Sequence, residues 1–197
     1  VSIGRFTGST KNQGVGGYNL IARAFATENS SFYVRLQEAG PIGRRFFINT
    51  RLFVGMASSS AHSAVEAMTI VVNDAFTGGG AQQAGGRDSL NVTLQSDLDY
   101  VRGIQSWRAG IQVDGSRTHS DDALNYIGTY TFASLTAYEL GLPTTFTRRI
   151  GNPLIEYRNF QAGVYVQDDI RVNKSLTPSP GVRVAAQSLL HRGVRVG

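Results

Sequence analysis

The side chains able to do chemistry in this 197-residue chain are few and widely spaced. His119, Ser120, Asp121 and Asp122 are consecutive. An imidazole beside carboxylates can ligate a metal or relay a proton. Asp97, Asp99 and Asp114 offer oxygen ligands of the kind calcium takes. Asp168 and Asp169 form an acid pair on paper. Each group has a plainer reading. The His119–Asp122 run has no partner cluster with metal-ligand spacing and reads as a solvated loop, as do the surroundings of His62 and His191. Asp97, Asp99 and Asp114 read as residues wetting a polar face, with Arg108 offsetting part of their charge. Adjacent strand residues point to opposite faces, so Asp168 and Asp169 cannot serve one bond as acid and base. Gly78-Gly79-Gly80 and Gly85-Gly86 match neither nucleotide-binding glycine pattern. Serine, histidine and acid cannot be assembled on one face. No enzyme activity, metal or cofactor is expected.

Composition removes further classes. Without cysteine there is no disulfide framework and no thiolate zinc site. Charged residues are 17 % of the chain and hydrophobic ones 41 %, too apolar for a wholly disordered polymer. Apolar runs such as Ile70–Val72 are far below the ~20 residues of a membrane helix, so a membrane role would need a β-barrel. The net charge of +5 raises nucleic-acid binding. Only Lys11 and Lys174 are lysines, and the arginines are scattered singly or as Arg44-Arg45 and Arg148-Arg149. A groove needs clustered cations interleaved with aromatics. Nucleic acid is therefore not an expected partner.

The elements that carry these residues announce themselves by a period of two. From 159 to 171, Phe160, Ala162, Val164, Val166 and Ile170 fall on one face, with Asp168 the exception. Asn159, Gln161, Gly163, Tyr165, Gln167, Asp169 and Arg171 fall on the other. Only a strand sorts residues this way. Val92, Leu94, Leu98 and Tyr100 oppose Thr93, Gln95, Asp97 and Asp99. Trp107, Ala109, Ile111 and Val113 oppose Arg108, Gly110, Gln112 and Asp114. Phe32, Val34 and Leu36 oppose Tyr33, Arg35 and Gln37. Phe46, Ile48, Leu52, Val54 and Met56 oppose Asn49, Arg51 and Gly55, with Phe47 and Phe53 on the polar side. Strands are expected near 1–7, 28–38, 44–57, 89–102, 105–116, 157–171 and 176–187. The fold class is all-β: an antiparallel meander of six or seven long strands, an incomplete segment of a transmembrane β-barrel, spanning 1–187 and followed by a divergent tail, 188–197.

Connections alternate in size. Gly103-Ile104 suits a two-residue type II′ hairpin that sets Asp99 opposite Arg108. Short connections also run through Gly40–Gly43 and Asn173–Ser175. Long links, 8–27, 58–88 and 117–156, all fall on the opposite side, the asymmetry of outer-membrane barrels. Within them a flexible glycine-rich stretch is expected at 78–86. A short helix is expected over Phe132–Leu140, stopped by Gly141 and Pro143. Trp107, Tyr100, Phe46 and Phe160 lie where girdle aromatics would.

Four phrases carry a family resemblance. NQGVGGYNL (Asn12–Leu20), NDAFTGGGAQ (Asn73–Gln82), GTYTFASL (Gly128–Leu135) and VYVQDDIRVNKSLTPSPGVR (Val164–Arg183) resemble stretches of TonB-dependent outer-membrane receptors. They are most similar to the Oar-like type, whose N-terminus carries a carboxypeptidase-regulatory-like domain. QDDIRVNKSLT is similar to that family's QDDWRV..NLT element, and the likeness runs over about residues 5–187. It implies a plugged barrel of about 22 strands in the outer membrane, importing a scarce ligand.

On that resemblance the partners are outer-membrane lipid, a small-molecule, glycan or peptide cargo, and the TonB complex through an N-terminal region of the parent. The chain starts at Val1 and is expected to be an internal fragment, not competent alone. From 182 the sequence VRVAAQ departs from the family's pattern, and Pro178 and Pro180 weaken that strand. Candidate cargo contacts are the polar-face residues Arg108, Gln112, Asp114 and Gln167 and the loop residues His119 and Asp121. The alternative is a soluble or surface-attached β-sandwich binding a carbohydrate or protein, its oily face buried against a second sheet. A structural adhesin barrel without transport is a third reading.

Overall fold

The structure, a computed structural model, describes residues 1–192. Seven long strands form one antiparallel sheet: β1 (Ser2–Gln13), β2 (Phe25–Ile42), β3 (Phe46–Ser63), β6 (Ala84–Arg102), β7 (Gln105–Asp122), β10 (Leu154–Ile170) and β11 (Gly181–Arg192). Their order in space is β1-β2-β3-β6-β7-β10-β11, so each long strand neighbours the next in the chain. This is the expected meander. The sheet is open, with β1 and β11 as its two edges.

Turns at 43–45, 103–104 and 171–180 close one end. The segments 14–24, 64–83 and 123–153 lie at the other. The hairpin at Gly103-Ile104 is as expected. Gly103 has φ +64°, Arg102 pairs with Gln105, and Asp99 pairs with Arg108. Pro41 falls inside β2 rather than in the turn. It sits beyond the Ser2–Arg35 pairing where β1 ends, on a stretch of free strand edge that tolerates a missing N–H. Pro178 and Pro180 precede β11 and contribute only carbonyls, accepting from the Ile170 and Asp168 amides. Of the tail, residues 188–192 complete β11, and 193–197 lie outside the described residues.

Side chains paired across strands share a face, so the register sorts the sheet into rows. On one face Phe46, Tyr100, Trp107 and Asp168 align. The next rows hold Ile48, Leu98, Ala109 and Val166; Thr50, Ser96, Ile111 and Val164; Leu52, Leu94, Val113 and Ala162; then Val54, Val92, Gly115 and Phe160. Phe160 (52 %) and Val164 (54 %) are exposed on this face. Gln161, Tyr165 and Gln167 on the opposite face of the same strand are half-buried. The apolar face is thus the convex one, and the polar face is concave. Between Phe46 and Met56 the rise is about 34 Å along the strand, or about 24 Å once tilted by ~45°. That matches the ~25 Å oily band of a membrane barrel.

The strands continue past this band. Ser58–Ser63 and Arg117–Asp122 extend β3 and β7 toward the long loops, so His62 and His119 lie in strands rather than in loops. The glycine-rich stretch is ordered. A second, smaller sheet of β4 (Thr69–Val72), β5 (Phe76–Gly79), β8 (Thr129–Phe132) and β9 (Thr145–Thr147) is built from the long segments in the order β5-β4-β8-β9. Gly79, at φ +72°, and Gly80 lie against the backbone carbonyls of Met68 and of Val65 and Ala67, where a Cβ has no room. The helix α1 is shorter than expected, Leu135–Glu139, capped by Ser134, whose Oγ accepts from the Ala137 amide at 3.2 Å.

Candidate functional site

Many of the polar groups on the concave face are paired with one another. Arg108 grips Asp99 through two hydrogen bonds, Nε to Oδ1 at 2.6 Å and Nη2 to Oδ2 at 3.3 Å. Tyr165 donates its hydroxyl to Asp97 at 2.6 Å. Gln112 donates to Asp114 at 2.8 Å and accepts from the Arg183 guanidinium at 3.3 Å. Gln167 stands directly across from Arg108 and donates to Asp169 at 2.9 Å. Higher on the same face, Tyr33 and Phe53 stack at 6.3 Å, with the Arg35 guanidinium 5.8 Å from the Phe53 ring centre. Phe53 in turn covers Gly55. That packing explains two aromatic residues on a polar side.

Four of the six sequence candidates therefore share this surface: Arg108, Gln112, Asp114 and Gln167. The other two do not. His119 and Asp121 lie in β7 with the parity of Trp107 and Ile111, so they belong to the outward face above the oily band. Asp97 and Asp114 stand two rows apart with separate partners. Among the described residues, no group of three or more histidine, aspartate or glutamate side chains is placed to hold a metal ion. Asp168 lies in the row of Trp107 at the turn end. It is buried, with its amide bonded to the Pro180 carbonyl at 2.9 Å.

Sequence reading missed the centre of the loop cap. Gln82 is buried and sits at φ +54°. Its Nε2 donates to Thr69 Oγ1 at 2.9 Å and to the Gly128 carbonyl at 2.6 Å. Its Oε1 accepts from the Ile127 and Gly128 amides at 3.1 and 3.0 Å. Thr69 Oγ1 also accepts from Arg23 Nη1 at 2.8 Å, and burial pulls the Arg23 guanidinium pKa down. Leu20 donates to the Thr77 carbonyl at 2.9 Å, and Thr77 donates to the Tyr18 carbonyl at 2.7 Å.

Three of the four phrases quoted above, Asn12–Leu20, Asn73–Gln82 and Gly128–Leu135, thus meet in one knot. Beyond their likeness to one family, nothing in the sequence marks that they meet. Tyr138 of α1 packs edge-on against Phe76 and Phe132, at 5.4 and 5.2 Å, and ties the helix to the same unit.

In chemical terms the arrangement offers donors and acceptors along a curved wall, with a hydrogen-bonded cap at its loop end. Comparison with known proteins gives one match. A family model described as an outer membrane beta barrel domain covers residues 4–193. No curated protein and no solved structure matches the chain.

Proposed function

The chain belongs to the outer membrane β-barrel domain family and resides in the outer membrane, and from this premise we propose that it forms part of the barrel wall of a TonB-dependent receptor importing a scarce ligand. The observation that carries the reading is the cap. Phrases resembling those receptors, distant in sequence, converge through Gln82, Thr69 and Arg23 into a single ordered unit at the mouth of a polar-lined wall. Connections longer than ~12–15 residues are uncommon in compact domains, and here two of them are folded into one unit.

On this reading cargo meets the concave face, and Arg108, Gln112, Asp114 and Gln167 are its contacts there. His119 and Asp121 face away and are left out. The hydrogen-bonding character favours a polar small molecule, glycan or peptide. Energy would come from the TonB complex acting through a segment of the parent outside this chain. No catalytic step and no cofactor form part of the proposal.

The experiment is nutrient depletion from defined medium, followed by mass spectrometry, in wild-type cells, cells lacking the full-length gene and cells with TonB inactivated. The expected result is a compound class that persists in both mutant cultures and disappears from the wild type. Identical depletion in all three cultures would remove the import reading. Loss of surface attachment alone in the deletion strain would favour an adhesin barrel.

A further inference from the structure

At the loop end of the concave face two adjacent rows cross the sheet. One runs Phe6, Ser31, Ala57, Ser89, Thr118, Tyr157, and the other runs Gly8, Asn29, Ser59, Arg87, Ser120, Ile155. Ser31 and Ala57 stand two residues from Tyr33 and Gly55, which fixes the face. On β2 and β3 the side chains of both rows are short. The wall is hollowed there by about 220 Å³, between Phe6 on β1 and Arg87 on β6. Those two backbones are three strand spacings apart, about 14 Å, and the inward curve of the wall draws their side chains together.

The lining has three chemical parts. Phe6 is 64 % exposed and its ring lies over Gly8, so an apolar surface borders the hollow. Arg87 is exposed and donates from Nη2 to the Tyr157 hydroxyl at 3.1 Å, which steadies the guanidinium without neutralising it. It forms none of the ion pairs among the described residues. Neither row contains an acid, and Asp122, one row nearer the cap, is paired with Arg149 at 3.4 Å. Between ring and cation lie the hydroxyls of Ser31, Ser59 and Ser89 and the Asn29 amide.

We propose that this hollow holds one ring of an acidic saccharide, its carboxylate on Arg87, its hydroxyls on the serines and Asn29, and its C–H face on Phe6. Guanidinium matches a carboxylate in planar, bidentate geometry. Serine hydroxyls both donate and accept, as the hydroxyls of a sugar do. An aromatic ring supplies flat apolar area at low entropic cost. A peptide fits less well, because the floor between Phe6 and Arg87 has no apolar recess for its side chains. The inference deepens the import reading, on which it rests, by naming the class of cargo.

The test is calorimetric titration of the full-length protein in mild non-ionic detergent with trigalacturonic acid, its uncharged methyl ester and triglutamate. The acid should bind roughly tenfold more tightly than the ester, the value of a charge-assisted hydrogen bond. R87Q should bring the acid down to the level of the ester and leave the ester unchanged, a pattern that a merely structural arginine would not give. F6A should weaken acid and ester alike, roughly fivefold. Both side chains are exposed, so both variants keep the fold. Equal binding of acid and ester, unchanged affinity in R87Q, or triglutamate binding as tightly as the acid overturns the saccharide site. Binding of the acid with identical depletion in wild-type and TonB-inactivated cells leaves the site standing and removes import. TonB-dependent depletion of another class of compound, with no binding of the acid, removes the site and leaves import.

Discussion

The ring of Tyr165 lies across Gly110 and ends in a 2.6 Å hydrogen bond to Asp97, so one side chain of β10 reaches β6 over the intervening strand. Asp97, Gly110 and Tyr165 form a single cross-strand row, and the glycine is what opens the path. Tyr33 repeats the arrangement by lying on Gly4. Gly110→Val should push the ring away and destabilise the full-length protein by about 1–3 kcal/mol, as overpacking does. Tyr165→Phe, on a half-buried residue, should cost about 1 kcal/mol. Urea unfolding reads both. Strict additivity in the double variant would mean the two residues do not act together.

Charge placed on either face should discriminate lipid from lumen. Leu52 sits mid-band on the convex face, and Gln161 sits beside Asp114 on the concave one. Leu52→Arg is expected to cost about 2–4 kcal/mol. Gln161→Arg should change stability little. Heat-modifiable migration of the inserted protein, together with its unfolding midpoint, reports the contrast, and equal effects would contradict the assignment of faces.

Removing the Gln82 amide orphans the Ile127 and Gly128 amides at once, while the Gly128 carbonyl keeps the Thr69 amide as its donor. Each buried orphan costs about 1–3 kcal/mol. Gln82→Ala should therefore loosen the cap while leaving the long sheet intact. Hydrogen exchange should quicken at Ile127 and Gly128 and remain slow along β7 and β10. Uniform acceleration throughout would show that the cap and wall unfold as one.

Glu156 lies on the outward face beyond Arg158, outside the membrane band. A hydrogen bond from Arg158 and the proximity of Arg117 hold its carboxyl below the ordinary glutamate range. With the folded pKa depressed, this link contributes above the unfolded value and is lost as pH falls through the folded one. It should thus survive mild acidification and break only below the usual carboxylate range. Carboxyl-carbon NMR of Glu156 measures the midpoint directly, and Arg158→Gln should raise it. A midpoint already at the ordinary value in the unaltered protein would refute the pairing.

What could be read in advance followed the oily band. Where one face must be apolar and the other polar, alternation survives, and it located the five inner long strands, their faces and the Asp99–Arg108 pair, whereas β1 and β11 show it only weakly. Above the band neither face needs to be oily. Ser58, Ser59 and Ser60 show no alternation, so the period in β3 and β7 fades before the strands end, and His119 and Asp121 lie beyond the part it marks. The strands of the cap are three or four residues long, too short to display a period. Gln82 and Gly128 are 46 positions apart, and nothing local marks their bond. Phe53 was visible as a misfit, and its stacking on Tyr33 supplies the reason.

The two outer strands of the sheet, β1 and β11, are separated by five others that alternate in direction, and both run toward the cap. Zipping one to the other would create a parallel seam in an otherwise antiparallel wall. Any cylinder that keeps uniform pairing must insert an odd number of further staves between them, and two such sheets set side by side in the same orientation meet the same obstacle. Closure is therefore a matter of parity as much as of circumference.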